Sequence, residues 1–132
     1  MYATGRHALC DLLLLHPMWK RIWVPEYFCY DVIEAIEKTG LSVAFYNDNP
    51  ISKDDKNILQ INQSFKSGDV LLRMNYFGLR GFRSNKHISI PVIEDHSHDL
   101  LGEWALKSDA DWCVASLRRN VVVSCKTSTS SY

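Results

Sequence analysis

Five consecutive polar residues, Asp95-His96-Ser97-His98-Asp99, follow the run Ile90-Pro91-Val92-Ile93-Glu94. Carboxylates and imidazoles packed this closely are the residue types that bind transition metals, and His87 could add a further ligand. The spacing contains no HExxH, and His96-Ser97-His98-Asp99-Leu100 breaks the HxHxDH arrangement of two-metal hydrolases at its end. A metal-dependent hydrolase built on Asp95, His96 and His98 is therefore one reading, resting on composition more than on pattern. In a second reading Asp95 caps the turn that follows, and the two His are polar residues of a strand-to-loop junction. In a third, Asp95 ends a buried strand and points into a cleft, where a carboxylate can keep a heteroaromatic ring nitrogen protonated.

Other segments offer chemistry of the same two-sided kind. Thr4-Gly5-Arg6 opens a helical pattern, so its backbone N–H groups and the helix dipole could receive a phosphate, or simply be capped. Pro25-Glu26-Tyr27-Phe28-Cys29-Tyr30 sets aromatic side chains after a strand, suited to covering a flat ring or to filling a core. Ser116-Leu117-Arg118-Arg119 supplies a hydroxyl and two cations that fit an anion, or a solvated surface pair. Cys10, Cys29, Cys113 and Cys125 stand singly with no CxxC, which favours buried free thiols over a zinc or redox motif.

The elements that must position these groups alternate in type. Ala8, Leu9, Leu12, Leu13 and Leu15 predict a helix over Arg6–Leu15, with Thr4 as cap and Pro17 beyond its end. A strand over Arg21–Val24 stops at Pro25, and a helix over Cys29–Thr39 stops at Gly40. Leu41–Tyr46, Val70–Asn75, Ile90–Glu94 and Trp112–Leu117 read as further strands. A weaker helix falls over Lys53–Phe65, and a loop or short helix lies around Gly102–Asp109. Strands and helices in this order predict an α/β fold with a mainly parallel sheet and flanking helices. Ligands of such sheets sit beyond the carboxyl ends of the strands. That rule places Pro25–Cys29, Asn75–Gly78, Asp95–Asp99 and Ser116–Asn120 on one rim.

With 132 residues the chain is expected to form one domain over 1–123, followed by a loose Ser/Thr-rich tail over 124–132. Acidic and basic residues cancel to a formal charge of +0, which leaves no footprint for nucleic acid or an anionic membrane. There is no bilayer-length apolar run and no signal-peptide pattern at the start, so a cytoplasmic protein is expected.

Six segments, TGRHAL (4–9), IWVPEYFCYDVIEAI (22–36), GLSVAFYND (40–48), VLLRMNYFG (70–78), IPVIEDHSHDLLG (90–102) and ADWCVASLRRN (110–120), together resemble the DegT/DnrJ/EryC1/StrS aminotransferases. These are the sugar aminotransferase group of fold-type I pyridoxal-phosphate enzymes, and the EDxxH segment is the most specific match. The resemblance implies that the chain is the N-terminal part of that family's large domain. It implies that Asp95 pairs with the pyridine nitrogen of pyridoxal phosphate and His98 sits near the ring hydroxyl. Gly5 and Arg6 would offer backbone donors to the phosphate, Ser116 would contact the same phosphate, and the ring-stacking position would fall near Phe28 or Cys29. The sequence departs from the family where it matters most: the position of the lysine that forms the Schiff base is Val121, and Lys126 lies in the tail. Without that amine the expectation is a partial cofactor cradle with no transaminase activity of its own. The turn into VVVSCKTSTSSY looks like a truncated or frame-shifted end, since the family's enzymes are much longer and a partner subunit completes their site. The partners expected are a small-molecule phosphate ligand and a second copy or a full-length relative. The alternative is a non-catalytic module that binds a phosphorylated ligand or docks on another subunit.

Overall fold

A computed structural model describes residues 5–117 and 121–126. Its centre is a six-stranded sheet in the order β2-β1-β3-β4-β5-β6. The strands are β1 (Arg21–Pro25), β2 (Ser42–Tyr46), β3 (Asp69–Met74), β4 (Val92–Asp95), β5 (Trp112–Leu117) and β6 (Val121–Lys126). The first five run parallel, and β6 returns antiparallel to β5. Helix α1 (Gly5–Leu14) precedes β1, while α2 (Tyr30–Lys38), α3 (Lys56–Ile61) and α4 (Glu103–Lys107) connect β1 to β2, β2 to β3 and β4 to β5, with one 3₁₀ turn over Asn62–Ser64 after α3. The expected α/β architecture is the one observed.

Side-chain alternation along the strands divides the apolar residues between two faces. On one face Leu9, Leu12 and Leu13 of α1 and Ile33 and Ile36 of α2 pack on Ile22, Val24, Val70, Leu72, Ile93 and Val114. On the other Ile58 of α3 joins Trp23, Tyr46, Leu71, Val92 and Cys113. Strand β3, covered on both faces, is buried at every position, which is why Val70-Leu71-Leu72 reads as an unbroken apolar run. Its first residue, Asp69, is held by Arg21 through two bonds of 3.0 and 2.6 Å.

Three of the departures from the expected boundaries have clear local causes. Strand β4 begins at Val92 rather than Ile90 and runs through Asp95, so Asp95 is a strand residue in register with Met74 and Val114. Pro91 has no N–H to give a ladder, and only its carbonyl is used, accepting from the Leu71 N–H at 2.9 Å. Helix α3 starts at Lys56 rather than Lys53, because the Asp55 carboxylate just before it is taken up by Arg73 at 2.7 Å and Arg83 at 2.8 Å. The boundary drawn between residues 123 and 124 falls inside β6, so Ser124, Cys125 and Lys126 belong to the sheet and not to a loose tail. Three β-branched residues, Val121-Val122-Val123, start that strand and account for it. The remaining tail, and Arg118 and Arg119, lie outside the described residues.

The long connection between β3 and β4 is pinned by buried ion pairs. Arg80 grips the Asp48 carboxylate with bonds of 2.9 and 2.6 Å and also donates to the Asn49 carbonyl. This anchoring holds Tyr76-Phe77-Gly78 against the end of the sheet.

Candidate functional site

A cavity of about 530 Å³ opens at the carboxyl ends of the parallel strands, beside the first turns of α1 and α2. Arg6, Phe28, Cys29, Asp95, His98 and Ser116 all line it, brought from four separate segments of the chain. Gly5 begins α1 next to Arg6, and its surroundings lie outside the described residues.

Each wall has a local cause. Cys29 sits in extended conformation at the cap position of α2, which leaves its thiol exposed rather than buried as expected of the cysteines. Among the cysteines whose side chains are described, Cys113 is buried and Cys10 half-buried. Alternation turns Met74 of β3, Asp95 of β4 and Ser116 of β5 to the same side, so strand ends form the floor. The Tyr76 hydroxyl donates to the Tyr27 carbonyl at 2.5 Å, tying the loop after β3 to the loop after β1. Burial pushes that phenol well above its ordinary range, so it stays a donor at neutral pH. The Ser116 N–H donates to Ser97 Oγ at 3.0 Å, joining the ends of β4 and β5.

Asp95 is half-buried, and its Oδ1 accepts the Ser97 N–H at 2.9 Å. Burial pushes its carboxyl up from the usual carboxylate range, against the pull of the Ser97 hydrogen bonds and the nearby His98 and His96. A carboxylate in that condition gains from a cationic partner, because a positive group in the cavity offsets its lost hydration. His98 stands at the mouth, exposed, with its ring stacked on Phe77 at a centroid distance of 4.2 Å and an angle of 14°. Phe77 adopts φ 54°, in the left-handed region, and Gly78 follows at φ 69°. Asp99 turns away and packs over Gly78 and Gly102; a Cβ on Gly102 would lie 1.8 Å from Asp99 Oδ2.

The same alternation sends Glu94 and His96 to the opposite face, which sequence reasoning missed. Glu94 Oε2 accepts from Asn85 Nδ2 at 2.7 Å, and its Oε1 accepts from Ser108 Oγ at 2.5 Å. His96 places Nε2 2.9 Å from Glu94 Oε1 and Nδ1 3.1 Å from Asn75 Nδ2. Arg73 donates to Asn85 Oδ1 at 2.7 Å, which links the acid to a buried cation through one amide. The metal set Asp95, His96 and His98 is therefore not assembled: Asp95 and His96 leave the strand on opposite faces, and His98 is engaged with Phe77. His87 lies far from them, 3.8 Å from Asp55. The signal that could have revealed the second cluster is the Glu-x-His spacing within a strand, which puts both side chains on one face.

No known protein-family model matches this sequence. No curated protein matches it in sequence either. Solved structures do match in fold. The 3-amino-5-hydroxybenzoic acid synthase superposes with a TM-score of 0.67 at 13% identity, over 89% of this chain and 33% of that one. A protein of Streptococcus pneumoniae provisionally named a sugar aminotransferase, in its PLP form, gives 0.65 at 15% identity, over 90% of this chain and 37% of that one. NtdA from Bacillus subtilis, with bound PMP, gives 0.63 at 19% identity, over 89% of this chain and 28% of that one. The chain thus has the α/β fold of part of these proteins and spans well under half of their length.

The cavity suits a phosphorylated heteroaromatic ring in size and in donor set: Asp95 and Ser116 on the floor, Arg6 from the first turn of α1, and an aromatic wall. Among the described lining residues none is a lysine. Lys126 pairs in register with Trp112 at the amino end of β5, four positions from the Ser116–Val122 pair. At strand pitch that is on the order of 13 Å from the floor of the cavity.

Proposed function

We propose that the cavity is a non-covalent cradle for pyridoxal phosphate or pyridoxamine phosphate, in a relative of the DegT/DnrJ/EryC1/StrS sugar aminotransferases that does not itself catalyse transamination. The observation that carries this reading is the convergence of Arg6, Phe28, Cys29, Asp95, His98 and Ser116 on one cavity at the carboxyl ends of the strands. When bound, the cofactor supplies an electron sink, its pyridine ring charged at the nitrogen. Asp95 holds the proton on that nitrogen, and the ion pair offsets the cost of its own burial. Arg6 and the N-terminal turn of α1 at Gly5, with Ser116 opposite, receive the phosphate. Phe28 and Cys29 would cover one face of the ring, and His98, held by its stacking on Phe77, would meet it from the mouth of the cavity. Val121, at the position of the family's lysine, has no amine to form an imine or to move a proton.

Absorbance and tryptophan-fluorescence titration of the purified chain with each cofactor tests this. Saturable one-to-one binding is expected, weakened about 10-fold or more by Asp95→Asn, since a hydrogen bond between charged groups contributes about 1.5–3 kcal/mol. Borohydride treatment should leave the bound cofactor extractable. Fixation on a single lysine, measurable amino transfer, or the absence of saturable binding would each refute the proposal. A subunit-docking role is the second reading, favoured by the exposed Tyr27 and Phe77 beside the cavity, and predicts self-association that masks them.

A further inference from the structure

Behind the sheet from the cavity, Glu94, His96 and Cys113 bring their ligand atoms within 4.8 Å of one another, all three side chains buried. Topology is the reason. Glu94 lies in β4 and His96 just past its end, two residues on and on the same face, and Cys113 is the register partner of Glu94 on β5. Ser108, from the turn after α4, closes the group, with its Oγ 2.5 Å from Glu94 Oε1 and 3.3 Å from Cys113 Sγ. We infer that Glu94, His96 and Cys113, with Ser108 or a water in the fourth position, form a structural site for zinc.

The donor set fits that ion in kind, geometry and charge. Carboxylate oxygen, imidazole nitrogen and thiolate sulfur are the three ligand types zinc takes, at about 2.0–2.3 Å, so tetrahedral donors stand on the order of 3.3–3.7 Å apart. The Glu94–His96 separation of 2.9 Å and the Cys113–Ser108 separation of 3.3 Å need to open only slightly, whereas the Glu94–Ser108 contact of 2.5 Å must open further or Ser108 must yield the fourth position to a water. Zinc replaces the protons that order the group in its absence, where thiol donates to hydroxyl and hydroxyl to carboxylate. On binding, Cys113 releases its thiol proton to solvent. The carboxylate and thiolate then carry two negative charges against the two positive charges of the ion, which leaves the buried site neutral. A zinc-bound His96 Nε2 requires Nδ1 to carry a proton and donate it. The facing amide of Asn75 has a buried oxygen, Oδ1, with no partner in its observed orientation, and half a turn of that amide presents it to the ring. None of these atoms faces the cavity, so zinc binding and cofactor binding succeed or fail separately.

The test is made on the full chain purified without chelator. Elemental analysis should find about one zinc per chain, an occupancy set by the single four-ligand site. Cobalt added after chelation should give the charge-transfer absorption of a thiolate–cobalt bond, retained in Cys10→Ser and lost in Cys113→Ser and His96→Gln. Because those variants alter a buried site, a measurement on the unaltered chain stands beside them: zinc should slow alkylation of Cys113, mapped by mass spectrometry, and leave the rate at Cys29 unchanged. Folded chain that holds neither zinc nor cobalt, cobalt absorption that survives in folded Cys113→Ser, or equal alkylation of Cys113 with and without zinc would overturn the inference.

Discussion

Replacing Asp69 by Asn would change one atom and disarm the clasp at the amino end of β3. Three donors converge on Oδ2: Arg21 Nη2 at 2.6 Å, Trp23 Nε1 at 2.9 Å and the Lys66 N–H at 3.0 Å; Oδ1 takes Arg21 Nε at 3.0 Å. An amide has a single acceptor, so with its oxygen at Oδ2 its NH₂ must face the Arg21 Nε–H, donor against donor. A charged acceptor bond is lost and a partly buried donor is stranded, an expected cost of about 1–3 kcal/mol at neutral pH. Burial alone pushes the Asp69 carboxyl up, but the Arg21, Trp23 and Lys66 bonds and the Arg21 charge outweigh it and hold the group below the usual carboxylate range. The sign follows: a lowered pKa in the folded state adds stability that is complete above the unfolded-state value of about 4 and disappears as pH falls through the lower folded value. Urea unfolding followed by tryptophan fluorescence, at pH 7 and at steps below pH 4, should show the gap between parent and Asp69→Asn narrowing with acid. A gap that stays constant down through the carboxylate range, or a variant as stable as the parent at pH 7, would refute this account of the clasp.

Other substitutions probe separate parts of the fold. Gly102→Ala, at a backbone conformation that Ala adopts freely, should destabilise the chain by about 1–3 kcal/mol through collision with Asp99. Adding Asp99→Ala should recover most of that loss in thermal melts, because it removes the atoms in the way. Tyr46→Phe deletes the buried hydroxyl that donates to the Leu72 carbonyl at 2.7 Å, and should cost about 1–2 kcal/mol in urea unfolding. Arg73→Met strips the buried cation from both Asp55 and Asn85 and should cost about 3–5 kcal/mol, with faster amide exchange in the 76–90 connection as its signature.

What could be read from the sequence is what depends on neighbours in the chain. Val70-Leu71-Leu72 and the period of Leu9, Leu12 and Leu13 declare their elements because apolar spacing is a local property. The rule that ligands sit beyond strand ends named the strand-end segments that meet at the cavity, and the helix start at Gly5-Arg6 named the remaining one. Partnerships across long separations left no such mark. Glu94 is an acid inside a buried strand, tolerable only because Asn85 and Ser108 arrive from 9 and 14 residues away. His96 depends on Asn75, 21 residues distant, and α3 was shortened by arginines from β3 and the following connection. Asp95 and His96 are kept apart for a local reason: a strand running through Asp95 deals successive side chains to opposite faces, and the expected strand stopped one residue early.

Phe77 sets two interests of the molecule against each other. Its left-handed backbone costs a non-glycine residue about 1–3 kcal/mol. Its ring, meanwhile, is what His98 stacks on at the mouth of the cavity. Glycine at position 77 would relieve the backbone and release the imidazole in the same stroke. A selection for heat resistance alone would therefore drift toward that change, and on the proposed function a selection for ligand affinity would drive it back, so the residue tolerated at this one position would record which demand has governed the chain.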